Sequence, residues 1–259
     1  MDWNHELEVA IRAARVARAI HLEYSERGFL VEHKSTLSDL VTEADRAAEI
    51  AIREILHQAF PGHAVEGEEG GGDGQGDFRW WVDPLDGTVN YAHGMPFYAV
   101  SIALEVAGEI RLGVVLDSAR DECFYAIRGQ GAYLNGRKIQ VSQNPHLVPS
   151  LVATGFPYDV TNDPENLTYF DRAIRHGLTV RRPGAAALDL AYVAAGRFDA
   201  FWELKLKPWD LAAGWLLIEE AGGQVSGWGQ EPFQIGNRYL VASNGVLHAP
   251  LLTVLRGGS

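Results

Sequence analysis

The 259-residue chain predicts an α+β fold with helices layered on sheets. Two amphipathic helical patterns open it, β-rich runs separated by tight turns follow, and the second half alternates short strands with helices. Over residues 4–27, Leu7, Ala10, Ile11, Ala14 and Ala17 recur at helical spacing, and Val9, Ala13, Val16 and Ile20 widen the apolar face. After the polar break Glu32 to Ser38, a second helix runs through Val41, Ala44, Ala48, Ile52 and Ile55 and stops before Pro61-Gly62, so two helices precede any strand. The stretch Gly70 to Gly76 reads as a mobile loop, and it lacks the Gly-Lys-[Ser/Thr] ending of a nucleotide-binding loop. Trp80 to Val82, Tyr98 to Val106, Arg111 to Leu116 and Glu122 to Ile127 form an antiparallel meander, and Asn135-Gly136 is a hairpin turn.

Beyond a linker at Asn144 to Pro149 the pattern changes. Strands are expected near 151–154, 178–181, 198–202 and 239–242, and helices near 164–176, 186–195, 209–221 and 246–255. The chain is thus expected to divide into an α+β half, 1–145, and an α/β half, 146–259, within one compact unit.

Composition narrows the function. With 47% hydrophobic and 22% charged residues this is a folded, core-forming chain. Its 22 Lys+Arg against 34 Asp+Glu give a formal charge of −12, which disfavours direct nucleic-acid binding and anionic membranes. An acidic protein handling an anionic substrate needs cations to mediate. Cys123 is the lone cysteine, which excludes a disulfide and fits the reducing cytoplasm. The first residues lack a signal-peptide pattern, and no apolar run is long enough to span a membrane.

Three acidic groups sit where structure changes type: Glu68-Glu69 beside the Gly-rich loop, Asp83-Pro84-Leu85-Asp86 after an apolar strand, and Asp210 opening a helix. Each has an ordinary structural explanation, namely a solvated loop, a turn and a helix N-cap. Asp83 is the hardest to explain so, because a carboxylate ending an apolar strand is costly to desolvate unless a cation compensates. Two carboxylates and the Leu85 carbonyl would form an all-oxygen site suited to Mg²⁺. Gly87 then enters a helical turn whose free amides can face an anion. Asp45 fits a capping pattern with Thr42 and equally a proton acceptor.

Trp81-Val82-Asp83-Pro84-Leu85-Asp86-Gly87-Thr88-Val89-Asn90-Tyr91 resembles the first signature of the inositol monophosphatase family, and Trp209-Asp210-Leu211-Ala212-Ala213-Gly214 with Glu220 to Gly223 resembles the second. Asp39 to Asp45, Gly67-Glu68-Glu69 and Gly184 to Ala187 extend the resemblance over nearly the whole chain. It implies a layered α-β-α-β-α sandwich of the sugar phosphatase type, hydrolysis of small phosphomonoesters with two or three Mg²⁺ per subunit, lithium sensitivity and a homodimer. It makes Glu68, Asp83, the Leu85 carbonyl, Asp86 and Asp210 the metal ligands. Asp45 and Thr88 match the pair that deprotonates a metal-activated water, with Glu68 part of the same catalytic group. Asp86, Gly87, Thr88, Gly184, Ala186, Glu203 and Asp210 match substrate contacts, and Lys34 a lysine near the metal. Ala185 departs from the Ser or Thr common there, which removes one hydroxyl donor.

The resemblance implies myo-inositol monophosphate first. Fructose 1,6-bisphosphate is the alternative if Lys205 and Lys207 read a second phosphate, and histidinol phosphate and 3′-phosphoadenosine 5′-phosphate are substrates of the same fold. A different class of reading is a regulatory partner of transcription machinery.

Overall fold

The computed structural model describes residues 2–33, 40–157, 162–229 and 233–258. In chain order the elements are α1 (Asn4–Arg27), β1 (Val31–His33), β2 (Leu40–Thr42), α2 (Glu43–Ala59), β3 (Ala64–Gly67), β4 (Gly71–Asp73), β5 (Phe78–Asp86) and α3 (Thr88–Ala92). The meander continues as β6 (Ala99–Val106), β7 (Glu109–Asp117), β8 (Glu122–Ile127), β9 (Ala132–Leu134) and β10 (Arg137–Lys138). Then come β11 (Leu151–Thr154), α4 (Glu165–Arg175), β12 (Thr179–Arg181), α5 (Ala186–Ala194), β13 (Ala200–Leu204), α6 (Pro208–Glu220), β14 (Gln224–Ser226), β15 (Tyr239–Ser243) and α7 (His248–Arg256).

An eight-stranded sheet has the order β10-β9-β8-β7-β6-β5-β3-β4, and a five-stranded sheet the order β12-β11-β13-β15-β14. The period of two along each strand sorts side chains into layers. On β6, Val100, Ile102 and Leu104 pack with Ala10, Ala14 and Ile52 of α1 and α2. Ala99 and Ala103 of the same strand face the other way, into a core shared with α5, α6 and Phe201 and Ala242 of the smaller sheet. Beyond that sheet, Trp202 and Val241 pack on Tyr169 and Ala173 of α4 and on Leu251 and Leu255 of α7. The result is five layers, α-β-α-β-α. Because both sheets are covered on both faces, their central strands are apolar throughout rather than alternating.

Three expectations are corrected. The second helix begins at Glu43, after Thr42, and Val41 lies in β2, which pairs antiparallel with β1, so a hairpin separates the first two helices. Strands of three residues are too short to show a period. Part of the glycine run is also strand: β4 pairs with β3, held by Asp73, whose carboxylate accepts from the Val65 amide at 3.1 Å. Pairing needs only backbone, so the missing side chains do not prevent it. Finally, β5 does not end at Asp83 but continues to Asp86 through a register shift against β6.

Candidate active site

That register shift creates the site. In a regular strand Asp83 and Asp86 would face opposite sides. The irregularity between them turns Asp83, Leu85 and Asp86 toward one cavity of about 570 Å³, which Glu68, Gly87, Thr88, Gly184, Ala186, Glu203 and Asp210 also line. Asp83 Oδ1 accepts the Leu85 amide at 3.0 Å, fixing the turn at Pro84. Gly87 follows in the left-handed region at φ 93°, and a Cβ there would lie 3.0 Å from the Phe97 oxygen and 3.1 Å from Ala185 Cβ.

Asp45 stands behind Thr88, outside the lining. It occupies the third position of α2, where Oδ2 accepts from the Thr42 amide at 2.8 Å and the Thr42 hydroxyl at 2.5 Å, a capping box. Its other oxygen lies 2.9 Å from the Thr88 hydroxyl, so the capping and functional readings of Asp45 are both accommodated. Thr88 Oγ1 is also 3.0 Å from the Leu85 oxygen, and its single proton serves one acceptor at a time.

The second half supplies the opposite wall. Asp86 receives the amides of Ala186 at 3.1 Å and Ala187 at 2.8 Å, so the first turn of α5 is spent on this carboxylate. Glu203 lies on β13, and a Cβ on Gly155 would meet its carboxylate at 2.1 Å, which is why that neighbour is glycine. Asp210 is not the N-cap of α6. The cap is Lys207, whose amide donates to Asp210 Oδ2 at 2.7 Å, and Asp210 holds the third helical position. Trp209, which opens the second signature segment, also lines the cavity, as do Arg182 and Phe156, which no local pattern marks in the sequence. Lys205 reaches Asp163 at 2.8 Å, whereas Lys207 is exposed at the mouth. Lys34 lies outside the described residues.

Electrostatics set this cavity apart from the rest of the surface. Burial, then repulsion from Glu68, pushes the Asp83 carboxyl well above the usual carboxylate range, and the same two causes raise Asp210. Asp86 is pushed up to about 7 by burial, against the α5 amides that favour its charged form. Asp45 rises to about 6 and Glu203 to about 8, both mainly through burial. Among the described residues no three acidic, Cys or His side chains are drawn together tightly enough to form a ready-made cage, so what these groups share is a wall. Carboxylates crowded in this way favour protons or a hard cation, and the donors are all oxygen, which fits Mg²⁺.

The chain matches the model of the inositol monophosphatase family over residues 2–257. It is 45% identical over 258 residues to a Nus factor SuhB of Pseudomonas aeruginosa, covering 96% of this chain and 95% of that one. An inositol-1-monophosphatase of Synechocystis is 42% identical, covering 98% and 90%. The crystal structure of the extragenic suppressor protein suhB of Bartonella henselae superposes with a TM-score of 0.93 at 38% identity, over 98% of this chain and 100% of that one. Two signature segments, their meeting at one acidic cavity and a match along the whole chain agree: this chain belongs to the inositol monophosphatase family.

Proposed function

We propose that this chain hydrolyses small phosphomonoesters with Mg²⁺, and that myo-inositol monophosphate is the substrate it serves best. One observation carries the reading: the Thr88–Asp45 hydrogen bond backs onto a cavity walled by Glu68, Asp83, Asp86 and Asp210. Glu68, Asp83, the Leu85 carbonyl, Asp86 and Asp210 are assigned to hold the cation. When bound, Mg²⁺ supplies positive charge that acidifies water and stabilises the departing alkoxide. Thr88 orients the attacking water and relays its proton: the hydroxyl oxygen accepts it as the hydroxyl's own proton passes to Asp45 Oδ1, a task suited to a carboxyl raised to about 6. The amides of Gly87 and Thr88 face the phosphate, and Glu203 with the Gly184–Ala186 turn faces the hydroxyls of the alcohol. Attack is in line and direct, because among the described residues no Ser or Cys nucleophile lines the cavity and Cys123 is buried in β8.

The name of the Synechocystis relative supports the inositol substrate. Lithium inhibition and a homodimer belong to the same reading. The name of the Pseudomonas relative supports a second one, in which the chain acts as a partner of transcription machinery.

Phosphate release from inositol 1-phosphate, fructose 1,6-bisphosphate, histidinol phosphate and 3′-phosphoadenosine 5′-phosphate, with Mg²⁺ or EDTA, tests the two. Release is expected to be fastest on inositol 1-phosphate, absent in EDTA and absent in Asp86→Asn. In Asp45→Asn it should fall about 10²–10⁴-fold while calorimetric Mg²⁺ binding persists. A folded protein that binds Mg²⁺ yet releases no phosphate from any of the four would overturn the phosphatase reading and favour the second.

A further inference from the structure

Glu49 has no part in the chemistry above, yet it is only 2% exposed and lies one helical turn after Asp45 on α2. Its carboxylate is satisfied by the turn that carries Glu68. Oε2 accepts the Glu69 amide at 2.7 Å, and Oε1 accepts the Gly70 amide at 2.8 Å together with Arg53 Nε at 2.8 Å. The backbone is pressed onto this group: a Cβ on Gly67 would lie 2.6 Å from Glu49 Cδ, and one on Gly70 2.7 Å from Oε1. Arg53 extends the grip, donating to the Val65 oxygen at 3.2 Å, to Asp73 Oδ2 at 2.7 Å and to the Gly71 oxygen. Both strands flanking the turn, β3 and β4, are therefore tied to α2. On the far side, the Glu68 amide donates to the Val82 oxygen of β5 at 3.2 Å.

We propose that Glu49, backed by Arg53, is a positioning residue for Glu68: it pins the 68–70 turn to α2 and so sets the protein's affinity for its divalent cation without touching it. Asp45 and Glu49 then make α2 a common frame, one carboxylate facing Thr88 and the next fixing the loop that delivers Glu68. The proposal rests on the assignment of Glu68 as a cation-holding residue.

Glu49→Gln tests it with little change in volume. A glutamine keeps one acceptor and turns a donor toward N–H groups, so at least one of the three contacts is lost. Three readouts are taken on the full chain: hydrogen exchange over 67–73, Mg²⁺ affinity by calorimetry, and kcat at saturating Mg²⁺ with inositol 1-phosphate. Faster exchange, a Mg²⁺ dissociation constant raised about tenfold or more, and a kcat close to wild type are expected, in line with other groups that orient metal ligands. Faster exchange with unchanged Mg²⁺ affinity would mean a structural role only and overturn the proposal. If Glu49→Gln does not fold, Arg53→Lys gives the same readouts under the same criteria. Glu68→Gln is titrated alongside. If it binds Mg²⁺ as wild type does, the assignment of Glu68 fails and the proposal with it. If Glu68→Gln weakens binding and Glu49→Gln does not, the proposal alone fails.

Discussion

Asp45 divides its two oxygens between tasks, one ending a helix at Thr42 and one facing Thr88. From sequence alone the capping pattern and the proton acceptor compete, because a Thr-x-x-Asp spacing cannot show what approaches from residue 88. Glu203 presents the opposite case: it sits in an apolar strand with nothing local to explain a carboxylate, and only its resemblance-derived role marks it. Its carboxyl is pushed from the ordinary 4.5 up to about 8, by burial first and then by Asp86, with Arg182 opposing. A group so raised favours the fold below its ordinary value, and that favour is lost as pH rises through about 8. In EDTA, Glu203→Gln should therefore melt above wild type at pH 9, with the gap closing toward pH 5. With Mg²⁺ it should raise KM about tenfold or more, as expected for losing a charged hydrogen-bond partner. Melting curves that coincide at both pH values would refute the stability half of this expectation.

At the scale of elements, the Ala- and Gly-rich runs of α5 and α6 become intelligible only once both helices lie between two sheets. A Cβ on Gly214 would come 2.5 Å from Leu190 Cβ, and one on Gly113 would come 2.8 Å from Ala213 Cα of the helix above β7. Small side chains at these crossings let the middle layer stay thin. Gly214→Ala should destabilise the protein by about 1–3 kcal/mol in urea titrations, the usual penalty of overpacking. Gly62→Ala, where a new Cβ meets nothing within 4 Å, should change stability by no more than about 0.5 kcal/mol. Equal effects of the two would count against the packing argument. The strand and helix alternation of the second half and the long central strands of the first are legible because their longer elements are long enough to show a period. The short strands β1, β3, β4 and β14 are not, since their pairing depends on distant backbone rather than on their own pattern.

Across the whole molecule, five layers follow from the order of elements, but how the two sheets meet does not. Asp86 bonds to amides 100 and 101 positions later, and Asn90 Nδ2 reaches the Pro183 oxygen at 2.9 Å, contacts no spacing rule anticipates. Burial in these layers also shapes the response to acid. His21 is held down to about 3 and His248 to about 4 by burial, each beside serine hydroxyls. Depressed values mean the neutral imidazoles support the fold fully above their ordinary 6.5, and this support is lost as pH falls toward 4 and 3. Urea titrations between pH 7 and 4.5 should show wild-type stability falling, with a shallower fall in His248→Gln; parallel profiles would exclude His248 as a source. The Asp86 contact has a further reach. Directed hydrogen bonds, added to the apolar core that β5 and β6 share with α5, hold the signature loop to the first turn of that helix, so their spacing is set by bond lengths as well as by packing. Under the proposed function, variation in substrate preference is therefore expected first at the exposed Lys207 side chain, at the mouth of the cavity.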